Sequence, residues 1–159
     1  KHSKSVELRK LIPEYDTYFK FGFVRNPFDK FVSWYCYLTQ SLNSTDSQKL
    51  HKTAYGDDYL SGSFLDFCKF APDWIFGNSY SFLCNEWGQL DMDFVGKYEN
   101  FDEDVKLVMD KIDISTEDLK PKNQSNHKHY TQYYNNETKQ IVANRFELDI
   151  KMFGYEFGE

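Results

Sequence analysis

A cationic side chain and a predicted helix start lie next to each other in residues 23–33. Arg25 follows an apolar run, and the Asn26-Pro pair after it is typical of a helix N-cap and first turn. The free N–H groups at a helix start bind anions, and arginine adds a planar fork that matches phosphate oxygens. Ser33, two turns after Asn26, shares a polar face with Lys30. The pattern predicts an anion site, with a structural ion pair of Arg25 as the alternative.

Three stretches resemble carbohydrate sulfotransferases of the Golgi and bacterial types. FVRNPFDKFVSWY is similar to the family's 3′-phosphate-binding motif, DFVGKYENFDEDV to its second strand and turn, and HKHYTQYYNNETKQIVANRFELDIKMFGYEF to its C-terminal segment. Together they cover residues 23–35 and most of residues 90–157. The resemblance implies that Arg25 and Ser33 bind the 3′-phosphate of the donor, 3′-phosphoadenosine 5′-phosphosulfate. It also implies transfer of a sulfuryl group to a hydroxyl, in particular that of a carbohydrate, without a metal.

One part of the family pattern has no counterpart in this sequence. The family binds the 5′-phosphosulfate with a P-loop-like turn that carries a lysine. None of the eight glycines lies in such a loop, and no G-x-x-x-x-G-K-[ST] occurs. We expect that strand and loop to precede Lys1, and residues 1–159 to form the larger, C-terminal part of a single sulfotransferase domain.

His2 precedes Arg25 by 23 residues. The heparan 2-O-sulfotransferase branch resembles this arrangement, with a catalytic histidine a similar distance ahead of its arginine motif. The acceptor hydroxyl must lose a proton as it attacks sulfur, and imidazole suits a general base at neutral pH. We therefore predict that His2 is the catalytic base, with an exposed terminal histidine as the alternative.

Residues 120–130 contain three lysines and two histidines but no acid. A cationic loop of this kind can close over a polyanionic donor, and the family has a comparable loop over its nucleotide. We assign Lys122, Lys128, His129 and Tyr130 to donor binding; a solvated linker is the alternative. The two histidines lack a third ligand, so we expect no metal site.

The Tyr98-Glu99-Asn100 turn follows the second predicted strand. Its acid or its amide either caps the following helix or forms a wall of the nucleotide or acceptor cleft.

Hydrophobic periodicity predicts the elements that hold these residues. Strands are predicted over 17–24 and 92–97, and helices over 3–12, 27–42, 99–112 and 135–153, with short helices in 62–87. Strands alternating with helices indicate an α/β fold around a parallel sheet. With the resemblance, this implies a P-loop-NTPase-like parallel sheet flanked by helices, from which the N-terminal strand and loop are missing.

Composition limits the partners and the compartment. The net charge of −6 and the pI of about 5.2 argue against nucleic-acid binding. Three cysteines without C-x-x-C spacing argue against a zinc site and indicate a reducing compartment. No apolar run is long enough to span a membrane. We expect a cytoplasmic protein of bacterial type, or a Golgi-lumen protein if an N-terminal anchor precedes Lys1. Acceptor identity and oligomeric state cannot be read from these residues.

Two other functions fit parts of the sequence. A P-loop kinase would need a Walker loop and acidic Mg²⁺ ligands, for which Asp91 and Asp93 are poor candidates. A non-catalytic nucleotide- or glycan-binding domain would keep the fold without the base.

Overall fold

A computed structural model describes residues 3–41, 63–72, 77–115 and 127–159. The first helix, α1, spans Ser5–Leu11, followed by a 3-10 turn at Tyr15–Thr17. Strand β1 spans Phe21–Val24 and helix α2 spans Pro27–Ser41. Helices α3 at Phe64–Phe70 and α4 at Ser79–Leu83 are short.

The second half repeats the order of strand and helix. Strand β2 spans Phe94–Lys97, a 3-10 turn follows at Tyr98–Asn100, and α5 spans Phe101–Lys111. A third 3-10 turn at Tyr130–Tyr133 leads to α6 at Asn136–Arg145 and α7 at Glu147–Phe153. The described residues thus form a mixed α/β fold, as predicted.

The two strands pair in parallel, from Phe21 opposite Phe94 to Val24 opposite Lys97. Parallel pairing places the carboxyl ends of both strands at the same edge. Residues 25 and 98, which follow the two strands, are therefore neighbours. A side chain at Gly96 would clash with the ring of Phe23, so the close approach at this pair requires glycine.

Helix α2 lies at the centre of the core. Phe31 and Val32 are fully buried, and Phe31 packs edge-on against Phe67 and Phe146. The apolar stripe predicted for this helix is confirmed, since Phe28 is buried and Tyr35 packs against the same cluster.

Two boundaries differ from the predictions. The first strand begins at Phe21 rather than residue 17, because Tyr15–Thr17 form a turn, and Phe21 is exposed rather than buried on both faces. The predicted helix 135–153 is two helices separated at Phe146, whose φ and ψ of −112° and 24° interrupt the helical path. Gly154 caps the second of them with a φ of 65°, as predicted.

Candidate functional site

The junction between β1 and α2 is rigid and buried. Asn26 is only 1% exposed, and its Oδ1 accepts a hydrogen bond of 3.0 Å from the N–H of Phe28. Its Nδ2 donates to the backbone oxygen of Glu156 at 3.1 Å. The predicted N-cap is thus confirmed, and the helix start is fixed directly after Arg25.

The guanidinium of Arg25 lies against the first turn of α2. Its Nε and Nη2 donate to Oδ2 of Asp29 at 2.7 and 2.6 Å, and its central carbon lies 4.6 Å from the centre of the Tyr98 ring. The ion pair considered as the alternative is therefore present. It does not exclude anion binding, because these bonds use two of the five N–H groups of the guanidinium. Asp29 and Tyr98 orient the remaining donors.

Ser33 lies one turn beyond Asp29 on the same face of α2 and is half-buried. An anion held by Arg25 beside Asp29 would thus have Ser33 within about one helical pitch, roughly 5.4 Å. Ser33 therefore shares a face of α2 with Asp29, the residue that binds Arg25.

Lys30, which was predicted to share that face, binds elsewhere. Its Nζ donates to the backbone oxygen of Gly77 at 2.7 Å. Burial lowers the pKa of Lys30; the carboxylate of Asp149 opposes this shift, and the charge of Arg25 adds to it. Lys30 therefore connects α2 to the segment that begins at residue 77.

Glu99 has a structural role that the sequence reasoning missed. Its Oε1 accepts from the backbone N–H of Asn26 at 2.6 Å, and its Oε2 accepts from the hydroxyl of Tyr155 at 3.1 Å. Burial raises the pKa of Tyr155, and the charge of Glu99 raises it further, so this hydroxyl stays protonated and donates. The expected side-chain cap is wrong for Asn100, which makes no side-chain cap bond to α5. Glu99 instead joins the turn after β2 to the start of α2.

Residues 127–130 approach this junction from the other side. They line a cavity of about 260 Å³, here called the α2 cavity, together with Asn26, Asp29, Glu99 and Glu159. Lys128 and His129 are exposed, and the Nδ1 of His129 lies 2.8 Å from the hydroxyl of Thr131. The structure therefore brings Lys128, His129 and Tyr130 to one cavity with Asn26 and Asp29 of the motif, whereas Arg25 and Ser33 do not line it.

Tyr130 contributes to the α2 cavity as an anchor. It is 4% exposed, and its hydroxyl accepts from the N–H of Gly158 at 2.7 Å and donates to the backbone oxygen of Glu159 at 3.0 Å. This hydroxyl is already satisfied by the protein, so Tyr130 shapes the cavity wall.

Two predicted site residues, His2 and Lys122, lie outside the described residues, as does most of the 120–130 segment.

Among the described residues, no group of three His, Cys, Asp or Glu side chains is close enough together to hold a metal ion. The described helices also include none with the length and apolar character needed to cross a membrane.

The sequence profile of the sulfotransferase family matches residues 1–156. The chain belongs to the sulfotransferase family. Neither a curated protein nor a solved structure matches the chain. Membership supports sulfuryl transfer in general, and the match includes Asn26, Asp29, Glu99 and residues 127–130 of the α2 cavity. It does not distinguish the carbohydrate branch from other branches of the family.

Proposed function

We propose that this sulfotransferase-family chain uses 3′-phosphoadenosine 5′-phosphosulfate as donor and the hydroxyl of a carbohydrate as acceptor, on a P-loop-NTPase-like fold. The observation that carries the proposal is the position of Arg25. Asp29 and Tyr98 hold its guanidinium at the start of α2, beside the α2 cavity. An arginine oriented in advance at a helix start suits a phosphate group.

We infer that the α2 cavity, with Arg25 beside it, receives one phosphate of the donor rather than the whole nucleotide. Its 260 Å³ lies below the 300–1,000 Å³ range, in round numbers, of pockets that enclose small molecules. Arg25, Ser33 and Lys128 would hold the 3′-phosphate. Lys122 and His129, which belong to residues 120–130 like Lys128, would add hydrogen-bond donors. Of the carboxylates that line the cavity, Asp29 and Glu99 already accept hydrogen bonds from Arg25 and from the N–H of Asn26. Their charge is therefore partly offset.

When bound, the donor supplies the sulfuryl group. The protein's part in this type of displacement is to position the reactants and to stabilise developing charge. In this proposal Arg25 and Lys128 fix the nucleotide end of the donor, while His2 accepts the proton of the acceptor hydroxyl. Each residue then has a separate, measurable contribution.

Calorimetry with adenosine 3′,5′-bisphosphate and with adenosine 5′-monophosphate tests the donor site. We expect the bisphosphate to bind more tightly, because only it carries the 3′-phosphate. Equal affinities of the two nucleotides would refute the assignment of Arg25 to that group. Incubation with the sulfated donor and a panel of sugars then tests transfer itself.

A further inference from the structure

A second concave surface includes Gly77, the residue that Lys30 contacts. It is a cleft of about 720 Å³ between the start of α1, residues 77–82 and the end of α6, here called the α1–α6 cleft. Lys4, Asn78, Ser81, Phe82, Asn144 and Arg145 provide its walls. None of them belongs to the α2 cavity, so the cleft is a separate surface.

The cleft is cationic. Lys4 and Arg145 come from two helices distant in sequence, and the described residues that line the cleft include no carboxylate. Asp149, behind residues 79 and 80, is 2% exposed and accepts hydrogen bonds of 2.8 Å from the N–H groups of both Ser79 and Tyr80, and the exposed Glu7 accepts from the backbone N–H of Lys4. The charge of Asp149 therefore stabilises the wall of the cleft. A cationic surface of this kind is unusual in a protein of net charge −6.

The remaining wall groups suit a hydroxylated ligand. Asn78 and Asn144 carry amides that both donate and accept, and Ser81 adds a hydroxyl. Phe82 supplies an apolar face, with the Lys4 ammonium 5.9 Å from the ring centre. An aromatic face with a few polar groups around it is the usual composition of a small-molecule pocket, and the volume lies within the range for such pockets.

The cleft is attached to the helix that carries the proposed donor site. Lys30 of α2 donates to the backbone oxygen of Gly77 in the cleft wall at 2.7 Å. The Arg145 guanidinium lies 5.8 Å from the ring of Phe31, also on α2. The start of α1 is fixed as well, because Ser5 and Arg9 both bond to Asp91. The proposed base, His2, is two residues before Lys4 in the sequence.

We propose that the α1–α6 cleft binds the acceptor and selects a sugar that carries an acidic group, a carboxylate or a sulfate. This inference rests on the proposed function, since it treats the cleft as the acceptor side of the same reaction. Lys4 and Arg145 contact the acidic group, the amides of Asn78 and Asn144 bond to sugar hydroxyls, and Phe82 packs against the sugar ring. A neutral sugar lacks the charged contact and binds more weakly.

Equilibrium binding of three disaccharides to the full chain tests this without turnover. The probes share one scaffold and carry glucose, glucuronate or glucose 6-sulfate at one position. We expect both acidic probes to bind more tightly than the neutral one, and the ratio between them to show which acid is preferred. Lys4→Gln should weaken binding of the preferred acidic probe by about tenfold, the loss typical of one hydrogen bond to a charged group.

Lys10→Gln is the matched control, because Lys10 is exposed on the same helix and does not line the cleft. It should leave all three affinities unchanged. Asn144→Asp is a second, isosteric variant that adds a negative charge to the wall, and it should weaken the acidic probes without weakening the neutral one.

Three results would overturn the acceptor cleft. They are equal binding of neutral and acidic probes, equal effects of the Lys4 and Lys10 changes, and a Lys4 change that weakens adenosine 3′,5′-bisphosphate instead of the sugars. Failure of the proposed function has a different signature. Charge-dependent sugar binding without sulfuryl transfer would refute the sulfotransferase activity and leave the cleft as a glycan site.

Discussion

The α2 cavity and the α1–α6 cleft share no described lining residue and use charge in opposite ways. Three carboxylates line the smaller α2 cavity, and two of them orient Arg25 and the N–H of Asn26. Of the described residues that line the larger α1–α6 cleft, two are cationic, and Asp149, which holds its wall, is buried. One surface adjoins a single oriented guanidinium, whereas the other offers dispersed charge and amides.

This difference suits two ligands of different character. The nucleotide that donates the sulfuryl group is the same in every turnover. A site whose hydrogen-bond donors are already oriented therefore needs little reorganisation when the nucleotide binds. A sugar acceptor offers many hydroxyls and needs several weaker contacts. If the two surfaces bind different ligands, substitutions at the α2 cavity should leave sugar binding unchanged, and substitutions in the α1–α6 cleft should leave nucleotide binding unchanged.

The largest expected effect is on turnover. His2→Ala should reduce turnover by about 10²- to 10⁴-fold, because the loss of a general base removes transition-state stabilisation. Donor affinity should stay nearly unchanged, since the base acts on the proton of the acceptor. Transfer to a panel of glycan acceptors, measured for wild type and variant, gives the first quantity, and calorimetry with the bisphosphate gives the second.

The pH dependence provides a check on His2. Activity of the wild type should fall as pH drops through the imidazole pKa, about 6.5 when unperturbed, because a protonated ring cannot accept a proton. Full turnover of the variant would mean that the base is another residue. His129 is then the next candidate, since Glu99 already accepts from Asn26 and Tyr155.

The second effect is on stability. Asp149→Ala should lower the free energy of unfolding by about 3 kcal/mol, because it leaves the N–H groups of Ser79 and Tyr80 without their charged acceptor. Urea denaturation measures this loss. Glu147→Ala is the control on the same helix: its exposed pair with Lys151 should matter little. Similar losses for the two variants would show that the Asp149 bonds do not hold the cleft wall.

The sequence predicts the junction beside the α2 cavity far better than the cleft. Arg25, Asn26 and Asp29 lie within five residues at one strand–helix junction, so local rules for caps and strand ends are sufficient to place them. The cleft combines Lys4, Asn78 and Asn144, which are distant in sequence and meet only through tertiary packing. Local sequence patterns do not predict which distant residues tertiary packing brings together.

Two acids with structural roles, the buried Asp149 and the exposed Glu99, were missed for a related reason. Asp149 lies three residues after Phe146, on the apolar face of α7. A carboxylate at such a position indicates a hydrogen-bond partner inside the protein. Glu99 gave a weaker signal, because its partner Asn26 is 73 residues away. The break at Phe146 was invisible, since Val142, Phe146 and Ile150 keep a helical spacing across it.

The third effect is on donor affinity. Arg25→Ala should weaken binding of adenosine 3′,5′-bisphosphate by about 1.5–3 kcal/mol, the usual contribution of a hydrogen bond to a charged group. Arg25→Lys keeps the charge but loses the planar fork held by Asp29 and Tyr98, so its affinity should be intermediate. Calorimetry decides both, and binding of the acidic disaccharides should not change. An unchanged bisphosphate affinity would remove the anion site from this junction.

The smallest effect tests whether Ser33 and Arg25 share one phosphate. Ser33→Ala should weaken bisphosphate binding by about 1 kcal/mol, the contribution of an ordinary hydrogen bond, and should not affect adenosine 5′-monophosphate. If both side chains contact the same group, the double variant should lose less than the sum of the two single losses, because the phosphate has already shifted once Arg25 is absent. Calorimetry of the four proteins of this cycle measures the difference. Strictly additive losses would mean that Ser33 acts apart from Arg25, and that the common face of Asp29 and Ser33 on α2 reflects helix packing rather than a joint ligand.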